Sequence, residues 1–317
     1  MAYRIVPGAP TPIGTDLLAL IGNTPLVKIR RLADLPPAVE VYAKLEGHNP
    51  GGSVKDRAVL RMVEDAERAG RLRPGAAEPV LLDSTSGNAG IAYAMVAAVR
   101  GYRVTLVVPA NASEERLATM RAYGAELVLS DPLEGSDGAM LMARRMADER
   151  PDRYLYLNQY DNPGNWRAHY DGTGAEVIAQ THGRITHFVA GVGTTGTLVG
   201  AGRRLRAFHP AVEVIAAEPD DAFHGIEGWK HLPTAITPGI YDPSVAHRVL
   251  RVTTDQAYAL TRALAATEGI FAGPSSGAAL AAALTVARDL AEGVVVVIFP
   301  DSGARYLSTP VWRAARV

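Results

Sequence analysis

Residues 49–57 read Asn-Pro-Gly-Gly-Ser-Val-Lys-Asp-Arg and lead from a turn into a segment with helical periodicity. Ser53 is a residue type that caps helix N-termini, so Lys55 falls in the first turn of the predicted helix. The positive end of the helix dipole disfavours an ammonium ion there, which lowers the pKa of the amine and favours its use as a nucleophile. A solvated helix lysine is the alternative interpretation, and this stretch alone leaves it open.

On both sides of this stretch, short β-branched segments alternate with Ala-rich segments of helical periodicity, a pattern typical of parallel α/β layers. The predicted strands are 39–45, 79–83, 103–108, 126–129, 186–190, 213–217 and 294–299. The predicted helices are 54–69, 89–99, 114–123, 136–148, 195–207, 254–266 and 276–291. Residues 219–243 lack a clear period and are rich in Pro and Gly, which favours a functional loop.

Composition excludes several classes of function. The chain has 317 residues, enough for two medium-sized lobes, and its 32 Lys and Arg balance 33 Asp and Glu. We therefore expect no nucleic-acid or membrane partner. The absence of cysteine removes disulfides, thiolate zinc sites and thiol nucleophiles, and no metal-ligand spacing of His or carboxylates is present. The opening MAYRIVPGAP lacks the features of a secretion signal, which predicts a cytoplasmic protein.

Two polar loops each follow a predicted strand and open a predicted helix. They are Thr85-Ser86-Gly87-Asn88-Ala89-Gly90 and Gly193-Thr194-Thr195-Gly196-Thr197. Hydroxyls and unpaired backbone N–H groups converge in such loops and bind carboxylate or phosphate without a cationic side chain. Neither loop matches the dinucleotide or nucleoside triphosphate patterns. For each loop a plain tight turn between strand and helix is the alternative.

A third polar turn, Gly273-Pro274-Ser275-Ser276-Gly277, opens the helix before the last predicted strand. Its hydroxyls either cap that helix or face a heterocyclic nitrogen. A serine hydroxyl, unlike a carboxylate, does not hold a pyridine ring protonated, which favours elimination over transamination.

With these motifs the chain resembles the pyridoxal 5′-phosphate (PLP) enzymes of fold type II, the tryptophan synthase β-like superfamily, and within it the cysteine synthases. The resemblance spans nearly the whole chain in the family's order. It is carried by residues 21–26 (IGNTPL), 49–57, 85–90, Asn158-Gln159-Tyr160 with Asn162-Pro163, 193–197, 268–273 (EGIFAG) and 305–309 (RYLST). The phosphate loop is similar to that of the cysteine synthase B type and of O-phosphoserine sulfhydrylases.

The resemblance implies an α/β fold of two domains, each a mainly parallel twisted sheet flanked by helices, with the cofactor in the cleft between them. The expected large PLP-binding domain is 1–44 with 152–317, and the expected small, mobile substrate-closing domain is 45–151. Lys55 is the expected Schiff-base lysine and proton shuttle. The other expected cofactor-binding residues are Asn88, Gly193, Thr194, Thr195, Gly196, Thr197 and Ser275. The expected substrate-binding residues are Thr85, Ser86, Gly87, Ala89, Gln159 and Lys230.

The implied reaction is the elimination of acetate or phosphate from an O-activated L-serine to an α-aminoacrylate, followed by addition of sulfide, thiosulfate or a thiocarboxylate to give L-cysteine. Lys230, in the loop that contributes basic residues in relatives, is a candidate partner for a substrate phosphate. Ala89 stands where the family usually has Thr, so one hydrogen-bond donor to the substrate carboxylate is missing.

Three alternatives stay open at this point. The first is a cystathionine β-synthase or another β-replacement enzyme of the same fold. The second, less favoured, is a serine or threonine dehydratase, because those enzymes usually carry four glycines in the phosphate loop. The third is a non-catalytic binding protein on the same scaffold. The resemblance also implies a homodimer that acts on small molecules.

Overall fold

The computed structural model describes residues 16–32, 34–76 and 78–313. Residues 1–15 and 314–317 lie outside these ranges. They include the opening segment on which the predicted location rests and the two ends of the predicted large domain. Ten strands are present in the described part: β1 (Leu26–Lys28), β2 (Ala38–Leu45), β3 (Val80–Ser84), β4 (Val104–Pro109), β5 (Glu126–Ser130), β6 (Tyr154–Tyr156), β7 (His187–Gly191), β8 (Glu213–Pro219), β9 (Arg248–Val252) and β10 (Glu292–Phe299).

Nine α-helices lie between these strands in the same ranges. They are α1 (Lys55–Arg68), α2 (Asn88–Arg100), α3 (Glu114–Ala122), α4 (Gly135–Glu149), α5 (Pro163–Ala168), α6 (Ala175–Gln180), α7 (Gly196–Phe208), α8 (Thr254–Ala263) and α9 (Pro274–Arg288). A π-helical turn, His169–Gly174, joins α5 to α6, and another, Leu264–Glu268, follows α8. None of the helices in the described ranges is long and apolar enough to cross a bilayer.

The strands form two sheets. The larger has the order β1-β2-β10-β7-β8-β9, in which only β1 runs antiparallel to its neighbour, and the smaller has the order β5-β4-β3-β6 with all pairs parallel. Central parallel strands are covered on both faces, which explains why β3, β4 and the second half of β10 are buried without interruption. The carboxyl ends of parallel strands share one edge of a sheet, and that edge is where α/β folds place ligands.

Every strand and helix predicted from the periodicity is present, and the α/β class is confirmed. The largest disagreements are three residues each: α8 ends at Ala263 where the pattern predicts residue 266, and α9 ends at Arg288 where it predicts residue 291. As predicted, no helix or strand occurs in the described structure between Pro219 and Arg248.

The prediction missed β1, β6, β9, α5 and α6. The first two strands have only three residues each, too few for an alternating pattern. The edge strand β9 reads Arg-Val-Leu-Arg-Val, in which apolar and polar residues do not alternate strictly. The segment α5 to α6 contains Gly172 and Gly174 within its π turn, and glycine weakens a helical pattern.

The domain boundaries stay a prediction. The pairing of β6 bears on one of them, because β6 lies after the predicted boundary at residue 151 and pairs with β3 in the smaller sheet. That sheet therefore extends a few residues beyond the predicted 45–151 range.

Candidate active site

A cleft of about 900 Å³, open to solvent, lies at the carboxyl ends of strands from both sheets. It is bounded by the loops that follow β3, β7 and β10 and by the start of α1. Most residues predicted for the site line this cleft: Lys55, Thr85, Ser86, Asn88, Ala89, Gln159, Gly193, Thr194, Thr195, Thr197, Lys230 and Ser275. Gly87 and Gly196 lie within the same loops but do not line the cleft.

Lys55 is the first residue of α1 and opens into the cleft. The preceding turn is fixed to the end of β10, because Val54 N donates to Pro300 O at 2.8 Å and Ser53 bridges to Asp301. Ser53 lies one residue before the helix cap, and its Oγ accepts from Lys55 N at 3.3 Å. Burial lowers the pKa of the Lys55 amine, and the Asp301 carboxylate partly opposes that shift. Lys55 therefore has the lowered pKa expected of a nucleophilic amine, with burial as its largest cause.

The loop after β3 is held by Thr85, whose Oγ accepts from Gly87 N and from Gly90 N, both at 2.9 Å. With both lone pairs used, the Thr85 O–H is the group that remains to donate to a ligand. Gln159 is packed against this loop, since its Nε2 donates to Ser84 O at 2.7 Å. The structure thus brings Thr85, Ser86 and Gln159 to one wall of the cleft.

Asn88 occupies the start of α2 on the same wall. Its Nδ2 donates to Asp301 Oδ2 at 2.6 Å, and its Oδ1 accepts from Arg305. Asp301 is 2% exposed and also accepts from Tyr306 OH at 2.5 Å. A buried carboxylate thus fixes the carboxamide that the resemblance assigns to the cofactor, an arrangement that the sequence did not reveal.

The loop after β7 forms a cradle for an anion. Thr195 has φ of +69° and a buried Oγ with no hydrogen-bond partner among the described residues. Thr194 Oγ accepts from Asn165 Nδ2 at 3.0 Å, and Thr197 Oγ lies 3.3 Å from His169 Nε2. Burial lowers the pKa of His169 well below its usual value, so the imidazole is neutral near pH 7.

Close packing explains the glycines of this cradle. A Cβ at Gly196 would lie 2.0 Å from Asn165 Oδ1, and a Cβ at Gly193 would lie 2.3 Å from Gly228 O. Only glycine fits this packing, in a loop that opens α7, where the first N–H groups of a helix lack intrahelical partners. An unpartnered hydroxyl at a helix N-terminus fits the phosphate of PLP.

Ser275 is 3% exposed, lies in the first turn of α9 and faces the cleft. The capping alternative is not supported, since no side chain caps α9 in the described structure. Ser275 is therefore available to a ring nitrogen in the cleft.

Arg116 and Glu227 also line the cleft, and sequence reasoning missed both. Arg116 is 3% exposed, and its guanidinium donates to Glu227 and lies 4.7 Å from the centroid of the Tyr306 ring. Arg116 is the third residue of α3, so its cation sits in a first helical turn. The helix dipole disfavours a cation there, as it does at Lys55, so the same sequence signal predicts Arg116 as a site residue.

Comparison with known proteins identifies the family of the chain. A sequence model of the family "Pyridoxal-phosphate dependent enzyme" matches residues 17–301. The chain is 51% identical over 302 residues to a cysteine synthase of Aquifex aeolicus, covering 93% of this chain and 91% of the relative. It is 48% identical over 292 residues to cysteine synthase B of Escherichia coli, covering 92% and 94%.

Solved structures give the same result. A cysteine synthase (OASS) from Entamoeba histolytica matches with a TM-score of 0.91 at 34% identity, covering 100% of this chain and 96% of that chain. An O-ureido-L-serine synthase matches with a TM-score of 0.88 at 42% identity, covering 96% of each chain. The match over most of the chain, together with the cleft around Lys55, shows that this protein belongs to the pyridoxal-phosphate dependent enzyme family.

Proposed function

We propose that this protein makes L-cysteine from an O-activated L-serine and a sulfur donor by PLP-dependent β-replacement. The observation that carries the proposal is the position of Lys55: a half-buried amine with a lowered pKa that faces two separate anion-binding loops in one cleft. One loop suits the phosphate of a cofactor and the other the carboxylate of an amino acid. Relatives named cysteine synthase, 41% to 51% identical over most of the chain, support the same reaction.

The residues present fit the cofactor. Lys55 Nζ would hold it covalently, the 193–197 loop would bind its phosphate, Asn88 its 3′ oxygen, and Ser275 its ring nitrogen. When bound, PLP supplies an electron sink for charge that develops at the substrate Cα. A neutral partner at Ser275 limits that sink, which favours elimination and replacement at Cβ over transamination.

The protein's own contribution is position and proton transfer. Thr85, Ser86 and Gln159 would bind the substrate carboxylate and so orient the Cα–H bond toward Lys55. Nζ of Lys55 would accept the Cα proton and later return it, as a general base and then a general acid. Burial lowers the pKa of Lys55, and that direction favours the neutral amine that a general base requires.

Another β-replacement reaction of the same fold is the alternative function. The similarity to an O-ureido-L-serine synthase supports that alternative. The family expectation of a homodimer and the predicted cytoplasmic location both stay predictions.

The direct test is to give the purified protein O-acetyl-L-serine, O-phospho-L-serine and L-serine in turn, with and without sulfide, and to measure cysteine. We expect cysteine from at least one O-activated donor only when sulfide is present. If no donor yields cysteine although the protein carries its cofactor, the function fails and another nucleophile or a binding role takes its place.

Replacing Thr195 by alanine tests the phosphate cradle. We expect cofactor affinity to fall about 10- to 100-fold, because a hydrogen bond to a charged group contributes roughly 1.5–3 kcal/mol. The measurement is the dissociation constant for PLP, followed by its visible absorbance after reconstitution. Thr285→Ala is the control, since that exposed hydroxyl bonds within α9 to Ala281 O and should leave the affinity unchanged. Equal affinities for both variants would refute the cradle.

Replacing Ala89 by threonine tests the missing donor to the substrate carboxylate. One ordinary hydrogen bond contributes about 0.5–1.5 kcal/mol, so we expect KM for the serine-derived donor to fall about 2- to 10-fold. The KM for sulfide, which has no carboxylate, should stay as it is. A rise in both constants would mean that the added side chain obstructs the cleft.

A further inference from the structure

Four charged side chains form two ion pairs at the cleft, outside the residues assigned to the cofactor. Arg116 donates to Glu227, and Lys230 donates to Asp137 and, at 3.3 Å, to Ser136 Oγ. Both cations are buried, with Arg116 at 3% exposure and Lys230 at 5%. Arg116 on α3 pairs with Glu227 in the loop after β8. Lys230 in that loop pairs with Asp137 on α4.

Arg116 lies against the loop proposed to bind the substrate. Its Nη1 is 3.4 Å from Ser86 O, and its side chain passes so close to Gly87 that a Cβ there would lie 2.4 Å from Arg116 Cδ. Arg116 Nε is buried without a hydrogen-bond partner in the described structure. With Tyr306 beneath it, the guanidinium is fixed at the edge of the substrate loop.

The charges of these two pairs cancel. Arg116 and Lys230 contribute two positive charges, and Glu227 and Asp137 contribute two negative charges. To pair with Arg116 or Lys230, a dianionic leaving group would have to displace the protein carboxylate that the cation already binds. The leaving group would then lie beside that carboxylate and be repelled by it. A donor with an uncharged ester needs no such exchange.

The two carboxylates differ in how many other groups they bind. Asp137 also accepts from Ile236 N at 2.8 Å and so holds the loop after β8 in place. Among the described contacts, the Glu227 carboxylate bonds only to Arg116, and its side chain is 37% exposed toward solvent. Of the two carboxylates, Glu227 therefore has the smaller structural role. It is also the one paired with the cation at the substrate loop.

We propose that Glu227, by neutralising Arg116, makes the site select donors with an uncharged leaving group, such as O-acetyl-L-serine, over donors with a phosphate. This inference rests on the proposed function and adds the class of donor. It also bears on Lys230, whose ammonium is already bonded to Asp137, so that its predicted role with a substrate phosphate requires the loss of that bond.

The test compares Glu227→Gln with the parent enzyme in the cofactor-loaded form. We expect the ratio of kcat/KM for O-phospho-L-serine to kcat/KM for O-acetyl-L-serine to rise about 10-fold or more, as one charge-assisted contact to phosphate becomes available. We also expect inorganic phosphate, measured by calorimetry, to bind more tightly by a similar factor. Glu227→Gln combined with Arg116→Met should lose both gains.

Two further variants make the result specific. Asp242→Asn removes a carboxylate from an ion pair with Arg203 outside the cleft and should leave the ratio and the phosphate affinity unchanged. Asp137→Asn releases Lys230 instead. If Asp137→Asn raises the ratio and Glu227→Gln does not, Lys230 is the residue that meets phosphate, and the proposal for Glu227 is overturned.

The outcomes also separate this inference from the proposed function. A parent enzyme that makes cysteine more efficiently from O-phospho-L-serine would overturn the role of Glu227 and leave the function standing. A parent enzyme that makes no cysteine would end the proposed function. In that case an unchanged phosphate affinity in Glu227→Gln would also remove the proposed control of charge at Arg116.

Discussion

Lys55→Ala should lose its covalent cofactor and make cysteine at least about 100-fold more slowly than the parent enzyme. A positioned acid–base group typically contributes 10²- to 10⁴-fold to a rate, and the variant also lacks the amine that binds the cofactor covalently. No second lysine is free to replace it in the described structure, because Lys230, the other lysine at the cleft, is bonded to Asp137. The rate of cysteine formation from the preferred donor is one measurement.

A second measurement separates chemistry from folding. After reduction with borohydride, the peptide that contains Lys55 should carry the mass of the cofactor in the parent enzyme and lack it in Lys55→Ala. Lys28→Ala is the matched control, because that lysine pairs with Glu40 at the surface and its side chain is 40% exposed. A labelled peptide elsewhere in the parent enzyme would overturn the assignment of Lys55.

The residues of the candidate site differ in how far sequence could predict them. Loops that follow a strand and open a helix are local features, so the 85–90 and 193–197 loops were predictable with their residues. The partners that hold them come from distant parts of the chain. Asp301 bonds to Asn88 across 213 positions and Arg116 bonds to Glu227 across 111, and no local pattern reports such contacts.

The fold shows the same division. Long segments with a regular period, such as α1 and β10, were predicted to within a few residues because each buries one clear apolar face or run. The three-residue strands β1 and β6 depend on partners supplied by other strands, β2 and β3. Their formation is a tertiary effect, which propensity alone does not capture.

A buried network of charges lies directly behind the lysine turn. Arg57 donates to Glu46 Oε2 at 2.6 Å and to Glu176 Oε1 at 2.6 Å, and Lys44 donates to the other Glu176 oxygen at 2.6 Å. Glu46 and Lys44 are fully buried and Arg57 is 6% exposed. Since Arg57 follows Lys55 by two residues, this network joins the first turn of α1 to β2 and to α6.

Removing Arg57 should therefore produce the largest loss of stability in this part of the molecule. Arg57→Ala leaves the buried Glu46 carboxylate without its partner, and breaking a buried ion pair in this way costs about 3–5 kcal/mol of unfolding free energy. Arg61→Ala, four residues on and paired with Asp65 and Asp171 at the surface, should cost only about 0–1 kcal/mol. Urea unfolding followed by circular dichroism and by tryptophan fluorescence measures both, with saturating cofactor and without it. A loss at Arg57 no larger than that at Arg61 would mean that the network adds little to stability. A loss that appears only with cofactor would mean that Arg57 acts by positioning Lys55.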